Sequence, residues 1–174
     1  MRGTSRATSH HGSPLNVRPF LAAMNEAESD PFDLRRFLDA QISTYDAALA
    51  ELTAGAKTTH WMWFIFPQVE GLGFSSMAKR YAIRSRAEGR AYFDHKVLGM
   101  RLRECVLAVL SVQGRSALQI MGSPDDLKLR SSMTLFSEIA ETGSPFEELL
   151  ARYFSGEKDT KTLEFLRRDG VRGA

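Results

Sequence analysis

GAKTTHWMWFIFPQVEGLGFSS, residues 55–76, decides how the rest of the chain is read. Its centre, from Trp61 to Phe66, is aromatic and uncharged, a composition that suits a strand. A strand needs a partner, and no other segment reads clearly as one. The same residues fit a short helix capped by Thr58 or Thr59. It would end before Pro67, because proline disfavours helical backbone in the residue preceding it. The helical reading is taken, and with it an all-α fold. Polar groups bracket the apolar run: Lys57, Thr58, Thr59 and His60 before it, Gln68 and Glu70 after it. Core packing needs only an apolar stripe. An aromatic run with hydrogen-bonding groups at both ends suits the wall of a pocket.

Upstream, Asp30-Pro31 reads as a helix start, with Asp30 as cap and Pro31 in the first position. Ser43 and Asp46 have capping-box spacing and open a second helix, which Gly55 can stop. Downstream, Gly71 and Gly73 make a loop, and Ser75 or Ser76 caps the next helix. Ser85 and Glu88 repeat the capping-box pattern. The longest helix is expected from about Lys96 to Val112, with Leu98, Leu102, Cys105, Val106 and Val109 on one stripe. Ala117 to Met121 is a short apolar turn. Ser123-Pro124-Asp125-Asp126 reads as cap, first-position proline and acids set against the helix dipole. Ser144-Pro145 repeats that punctuation, and Asp159 caps a last helix. The expectation is a compact single domain of about eight short helices over 30–168, after a disordered extension at 1–29 and before a flexible tail at 169–174. No repeat of fixed period is found, although helix pairs of similar length leave a solenoid-like stack open.

The 174 residues suffice for one domain with a substantial core. Arg2, Arg6 and Arg18 stand in the first 23 residues without an acid, and the remainder carries 20 basic and 21 acidic residues. That balance argues against a nucleic-acid partner held by phosphate electrostatics. No apolar run approaches the ~20 residues of a membrane helix, so no membrane partner is expected. A single cysteine, Cys105, excludes an intrachain disulfide and suits a reducing compartment, which makes the cytoplasm the expected location. The Ser- and Arg-rich start also resembles an organelle transit peptide. A solvated tail, or a true start at Met24, is the preferred reading.

His60 is a candidate general acid or base, with Asp126 as the acidic alternative. The plainer role for His60 is to bond a backbone carbonyl. Lys57 and Lys128 are each followed by hydroxyl residues, Thr58 and Thr59 in one case, Ser131 and Ser132 in the other. Lysine, hydroxyls and helix N-terminal N–H groups together can hold a phosphate. The glycine spacing of a nucleotide-binding loop is absent, since position 50 is Ala50 and no strand precedes it. Both lysines as solvated helix-end cations is the ordinary alternative. Trp61 and Trp63 are two apart, so on a helix they point to different faces. One is expected in the core, and the other could stack on a planar ligand; two core tryptophans is the alternative. Gln68 could read a ligand edge or cap a helix end, and Ser75 joins the ligand-binding set. Cys105, on an apolar stripe, reads as structural. Paired-His metal spacing, a serine elbow and a dinucleotide fingerprint are all absent, so no metal or cofactor is expected.

R-F-L-D-A-Q (36–41), G-x-K-x-x-H-W-M-W-F-I-F-P-Q (55–68), S-x-x-A-x-x-Y-A-I (75–83), L-G-x-R-L (98–102) and D-x-x-K-L-x-S-S-M-T-L-F (125–136) closely resemble the bacterial family called domain of unknown function 1810. The likeness covers about Asp33 to Leu166. It implies a compact all-helical domain with an armadillo-like or right-handed superhelical arrangement. The chain departs from the pattern at Ile42-Ser43, where a proline-containing break is expected in relatives, and in its N-terminal extension. The family has no established activity, so the resemblance supplies no catalytic residues. Some relatives carry the label calpastatin, a disordered repeat chain unlike this dense helical one. More remotely, the mix of Trp, Lys and acidic residues is similar to that of N-glycosidases acting on ADP-ribose and riboflavin intermediates, without an alignable motif.

Two functions follow as expectations. The first is a small-molecule pocket for a phosphorylated or nucleotide-like ligand, with N-glycosidase-like hydrolysis as its catalytic form. There Trp61 or Trp63 stacks, Lys57 and Lys128 neutralise phosphate, Ser131, Ser132 and Gln68 hydrogen-bond, and His60 or Asp126 moves protons. It requires the 55–68 and 125–136 segments to meet around one cavity. The second is a helical protein-interaction module without activity. It predicts both tryptophans on a shallow exposed patch, or both buried with no cavity beside them.

Overall fold

The central aromatic segment folds as a single helical turn, Met62–Ile65, in a computed structural model that describes residues 29–172. Trp61, not a threonine, holds its N-cap position. The backbone N–H groups of Thr58 and Thr59 donate instead to the Glu51 carboxylate, at 2.8 and 3.1 Å. Ten helices lie among the described residues: α1 (Arg35–Gln41), α2 (Tyr45–Thr53), α3 (Met62–Ile65), α4 (Ser76–Arg80), α5 (Arg86–Asp94), α6 (Leu98–Ser111), α7 (Ala117–Met121), α8 (Asp125–Ser137), α9 (Pro145–Phe154) and α10 (Thr160–Arg172). This exceeds the expected eight, and Ala117–Met121, expected as a short apolar turn, is a five-residue helix opened by a Ser116–Gln119 capping box. The extended pairing among the described residues is one isolated parallel bridge, Val69 to Ile83. The fold is all-α. None of these helices is long and apolar enough to cross a membrane.

Two helices carry the core. On α6 the expected stripe of Leu98, Leu102, Cys105, Val106 and Val109 is buried throughout. On α8 every residue from Ser131 to Ser137 is buried, so its C-terminal half is enclosed on all sides. Packed around this pair are α2 and α5 on α6, α9 on both, and α10 on α8 and α5. Of these contacts, α2–α6, α6–α9 and α5–α10 join helices distant in the chain. Two buried polar groups fix the remaining pieces. Arg36 pairs with Glu88 and donates to the carbonyls of Phe32, Asp33, Arg80 and Ala82, tying the start of α1 to the α4–α5 connection. Gln41 and Tyr92 both donate to the Phe64 carbonyl, at 2.8 and 3.1 Å, and so hold α3 against α1 and α5.

Several helix ends differ from expectation. Asp30-Pro31 does not start a helix: Asp33 takes a left-handed φ of 52°, and α1 begins at Arg35. The Arg36 anchor fixes that turn against distant carbonyls, which outweighs the local capping signal. Thr44, without a side-chain cap bond, precedes α2 in place of Ser43. Pro124, which follows a cis peptide bond, stands at the N-cap of α8 rather than its first position. The caps at Ser75, Ser85 and Asp159 form, accepting from the backbone N–H of Ala78, Glu88 and Thr162. Glu88 does not complete its capping box, because its carboxylate is taken by Arg36 and by the Arg84 N–H. Helix α10 continues through 169–172, where a tail was expected, and Asp169 accepts from the Arg86 N–H at 2.6 Å. The extension expected at 1–29 falls outside the described residues save for position 29.

Candidate functional site

Glu51, in the last turn of α2, organises the loop that leads into α3. Its carboxylate accepts from the Thr58 and Thr59 N–H groups, the Thr59 hydroxyl at 2.6 Å and the Trp61 indole N–H at 2.8 Å. Burial alone would raise its pKa. The four donors outweigh that and hold it at about 2. The loop is also pinned by the Lys57 N–H, which donates to the Ile120 carbonyl at 2.7 Å. Held at both ends, it aims the Lys57 side chain at the first turn of α8.

There Lys57 Nζ meets Asp125 Oδ2 at 2.8 Å, donates to the Thr59 carbonyl at 2.7 Å, and lies 5.0 Å from the Trp61 ring centroid. The Lys57 side chain is 8% exposed, so it is not a solvated helix-end cation. The other carboxylate oxygen of Asp125 binds Lys128 Nζ at 2.7 Å. Burial pushes the Asp125 pKa up, but the two lysines prevail and leave it below the ordinary carboxylate value. Lys128 in turn sits 5.3 Å from the Trp63 ring centroid. The 55–68 and 125–136 segments therefore meet, through the bridge Lys57–Asp125–Lys128.

Beyond the bridge opens a cavity of about 850 Å³. Trp63 and Gln68 line one side, the loop from Leu72 to Ser75 a second, and Leu127, Lys128, Arg130 and Ser131 of α8 a third. The connection from Glu157 into the first residues of α10, Thr160 and Lys161, completes it. Four cations (Lys128, Arg130, Lys158 and Lys161) thus stand against two acids, Glu157 and Asp159. Asp159 is committed to capping α10, accepting from the N–H and the hydroxyl of Thr162 at 2.8 and 2.6 Å. The opening turn of a helix adds partial positive charge. Two of the four cations are paired with carboxylates outside the lining, Lys128 with Asp125 at 2.7 Å and Lys158 with Glu138 at 2.8 Å, which leaves Arg130 and Lys161 without a carboxylate within hydrogen-bond distance.

Of the residues singled out in the sequence, Trp63, Gln68, Ser75, Lys128 and Ser131 line this cavity. Ser75 is also the α4 cap, and the Ser131 hydroxyl donates to the Leu127 carbonyl at 3.2 Å. The others lie elsewhere. Trp61 is 1% exposed and packs edge-on against Phe66 in the core, so the two tryptophans divide as their spacing implies. Lys57 is behind the wall, spent on Asp125. Ser132 is fully buried and its hydroxyl has no partner. His60 is exposed, Asp126 is half-buried, and neither lines the cavity. Among the described residues no group of three or more His, Cys, Asp or Glu side chains is placed to hold a metal ion.

Glu51, Phe74, Arg130, Lys158 and Lys161 escaped the sequence reading. Three of these had a signal. Phe74 directly follows a glycine-spaced loop, an odd place for a large apolar residue, and it is 82% exposed. Lys158 and Lys161 flank the helix start that Asp159 announces. Nothing local marks Glu51 or Arg130.

A family model described as "Protein of unknown function (DUF1810)" matches residues 31–166. Among solved structures, the conserved hypothetical protein Rv1873 from Mycobacterium tuberculosis is similar. Its TM-score is 0.78 at 51% sequence identity, over 79% of this chain and 99% of that one. No curated protein matches the sequence.

Proposed function

This chain belongs to the DUF1810 family, and we propose that its cavity beside α8 binds a small phosphorylated, nucleotide-like molecule. One observation supports this above the others: a single cavity of about 850 Å³ combines two aromatic side chains, Trp63 and Phe74, with four cations. The volume lies within the range of small-ligand sites, which bury a planar group on apolar walls and orient it with a few polar groups. In this reading Phe74 covers the planar part of the ligand against Trp63. Gln68 and Ser75 bond its edge, and Lys128, already held in place by Asp125, meets negative charge at little ordering cost. A hydrolytic form would move the proton-transfer role from His60 and Asp126 to Glu157, the cavity carboxylate that caps no helix.

Calorimetric titration with adenosine monophosphate, ADP-ribose and riboflavin phosphate tests the proposal. At least one should bind saturably, more weakly at high salt, and roughly tenfold more weakly to Lys128→Ala. His60→Ala should bind as wild type does. The interaction-module reading draws on Phe74 and Leu127, which are 82% and 51% exposed beside the same cavity. If no ligand binds to the folded protein, the small-molecule reading is lost and that second reading replaces it.

A further inference from the structure

We infer that Arg130 and the opening turn of α10 form a phosphate-binding end of this cavity, so that its ligand carries a terminal phosphate. The inference rests on the cavity being the ligand site. Four arginines among the described residues are not exposed: Arg36, Arg101, Arg103 and Arg130. The first three donate to protein oxygens, Arg36 to the Arg80 carbonyl at 2.9 Å, Arg101 to Gln41 Oε1 at 3.2 Å and Arg103 to the Phe93 carbonyl at 3.4 Å. Arg130 donates to none. Its Nε is shut away from solvent without a partner, and the nearest carboxylate oxygen, on Glu157, stands 4.0 Å from Nη1.

A half-buried guanidinium with its donors uncommitted is costly in a folded protein, because buried polar groups are nearly always paired. Such a group is kept where an acceptor arrives from outside. A phosphate is the acceptor that suits a planar fork of N–H donors and the positive end of a helix at once. Both are present: Arg130, Thr160 and Lys161 line the same cavity, and Thr160 and Lys161 open the thirteen-residue α10.

The test compares adenosine with adenosine monophosphate by calorimetry, in wild type, Arg130→Met and Arg130→Lys. Wild type should bind the phosphorylated probe more tightly. In Arg130→Met that binding should fall about tenfold to a hundredfold, to the level of adenosine, whose own affinity stays unchanged. Arg130→Lys should recover only part, because a point charge cannot present the fork. The melting temperature of unliganded Arg130→Met should equal or exceed that of wild type, since an unmet donor has been removed. Unchanged phosphate-dependent binding in Arg130→Met, with Lys128→Ala still weakened, would overturn this inference and leave the pocket standing. A clear loss of stability in Arg130→Met would also overturn it, by showing a structural role. If wild type binds neither probe, this inference is overturned, while the pocket reading stands or falls with ADP-ribose and riboflavin phosphate.

Discussion

Replacing Glu51 by glutamine tests whether one carboxylate holds the wall of the site. The carboxylate accepts four hydrogen bonds within 3.1 Å, from Thr58, Thr59 and Trp61. A glutamine side chain has one acceptor oxygen, and its NH₂ group would confront donors. The depression of the pKa from 4.5 to about 2 corresponds to at most about 3 kcal/mol at 1.36 kcal/mol per unit. Because the carboxylate is partly exposed, solvent screening reduces this to about 1–2 kcal/mol. For a chain of this size that is a fall of roughly 3–6 °C in melting temperature at pH 7. The folded-state pKa lies below the unfolded one, so the stabilisation is complete above about pH 4.5 and disappears as pH falls toward 2. The difference between wild type and Glu51→Gln, followed by circular dichroism melts across that window, should therefore shrink with acid. Equal melting temperatures at pH 7, or a difference that persists unchanged at pH 2, would refute the reasoning.

Three further perturbations probe other supports. Asp125→Asn leaves Lys57, 8% exposed, beside a neutral partner; it should cost about 2–4 kcal/mol in urea denaturation, a deficit that vanishes as acid protonates the wild-type carboxylate. Glu88→Gln breaks the buried pair with Arg36, whose side chains are 5% and 3% exposed, and should cost about 3 kcal/mol while leaving the cavity lining intact; a loss under ~1 kcal/mol would contradict the anchoring role. Gly99→Ala places a Cβ 1.9 Å from the Phe93 carbonyl oxygen, so the α5–α6 junction must open. Its stability should fall by about 2–3 kcal/mol, and a neutral result would mean that the junction has slack.

The features legible in the sequence are those whose cause is local. The α6 stripe follows from spacing alone. Ser75, Ser85 and Asp159 cap because each bonds an N–H three residues on. Asp30-Pro31 carries the same kind of signal and fails, because Arg36 places the entry to α1 through carbonyls contributed by the α4–α5 connection. The site divides in the same way. Lys57 and Lys128 stand out beside their hydroxyl neighbours, and the segments bearing them meet. Their shared partner, Asp125, shows in the sequence only as an acid complementing the helix dipole. That it neutralises a lysine from another element is a fact of tertiary structure. Arg130 is harder still: no pattern of neighbours shows which arginine will lack an acceptor once the chain has folded.

This placement explains how a chain of nearly balanced charge can hold an anion. Outside its first residues the sequence has as many acids as bases to within one, and that balance argued against nucleic acid. Balance over a whole chain does not prevent imbalance in a cavity. Glu51 is consumed by the loop before α3, Asp125 is shared between two lysines, Asp159 is turned onto its own helix, and Glu138 is paired with Lys158 at 2.8 Å. Glu51 and Asp159 are thereby spent on local donors, while Asp125 and Glu138 offset Lys128 and Lys158 of the cavity wall. Arg130 and Lys161 are left with no close carboxylate partner, on walls of low polarisability that strengthen their field. A small ligand entering there meets that local excess, whereas a long polyanion laid across the surface would meet the average. On the proposed reading, this arrangement of acids would select for a compact anion, through residues that need never touch the ligand.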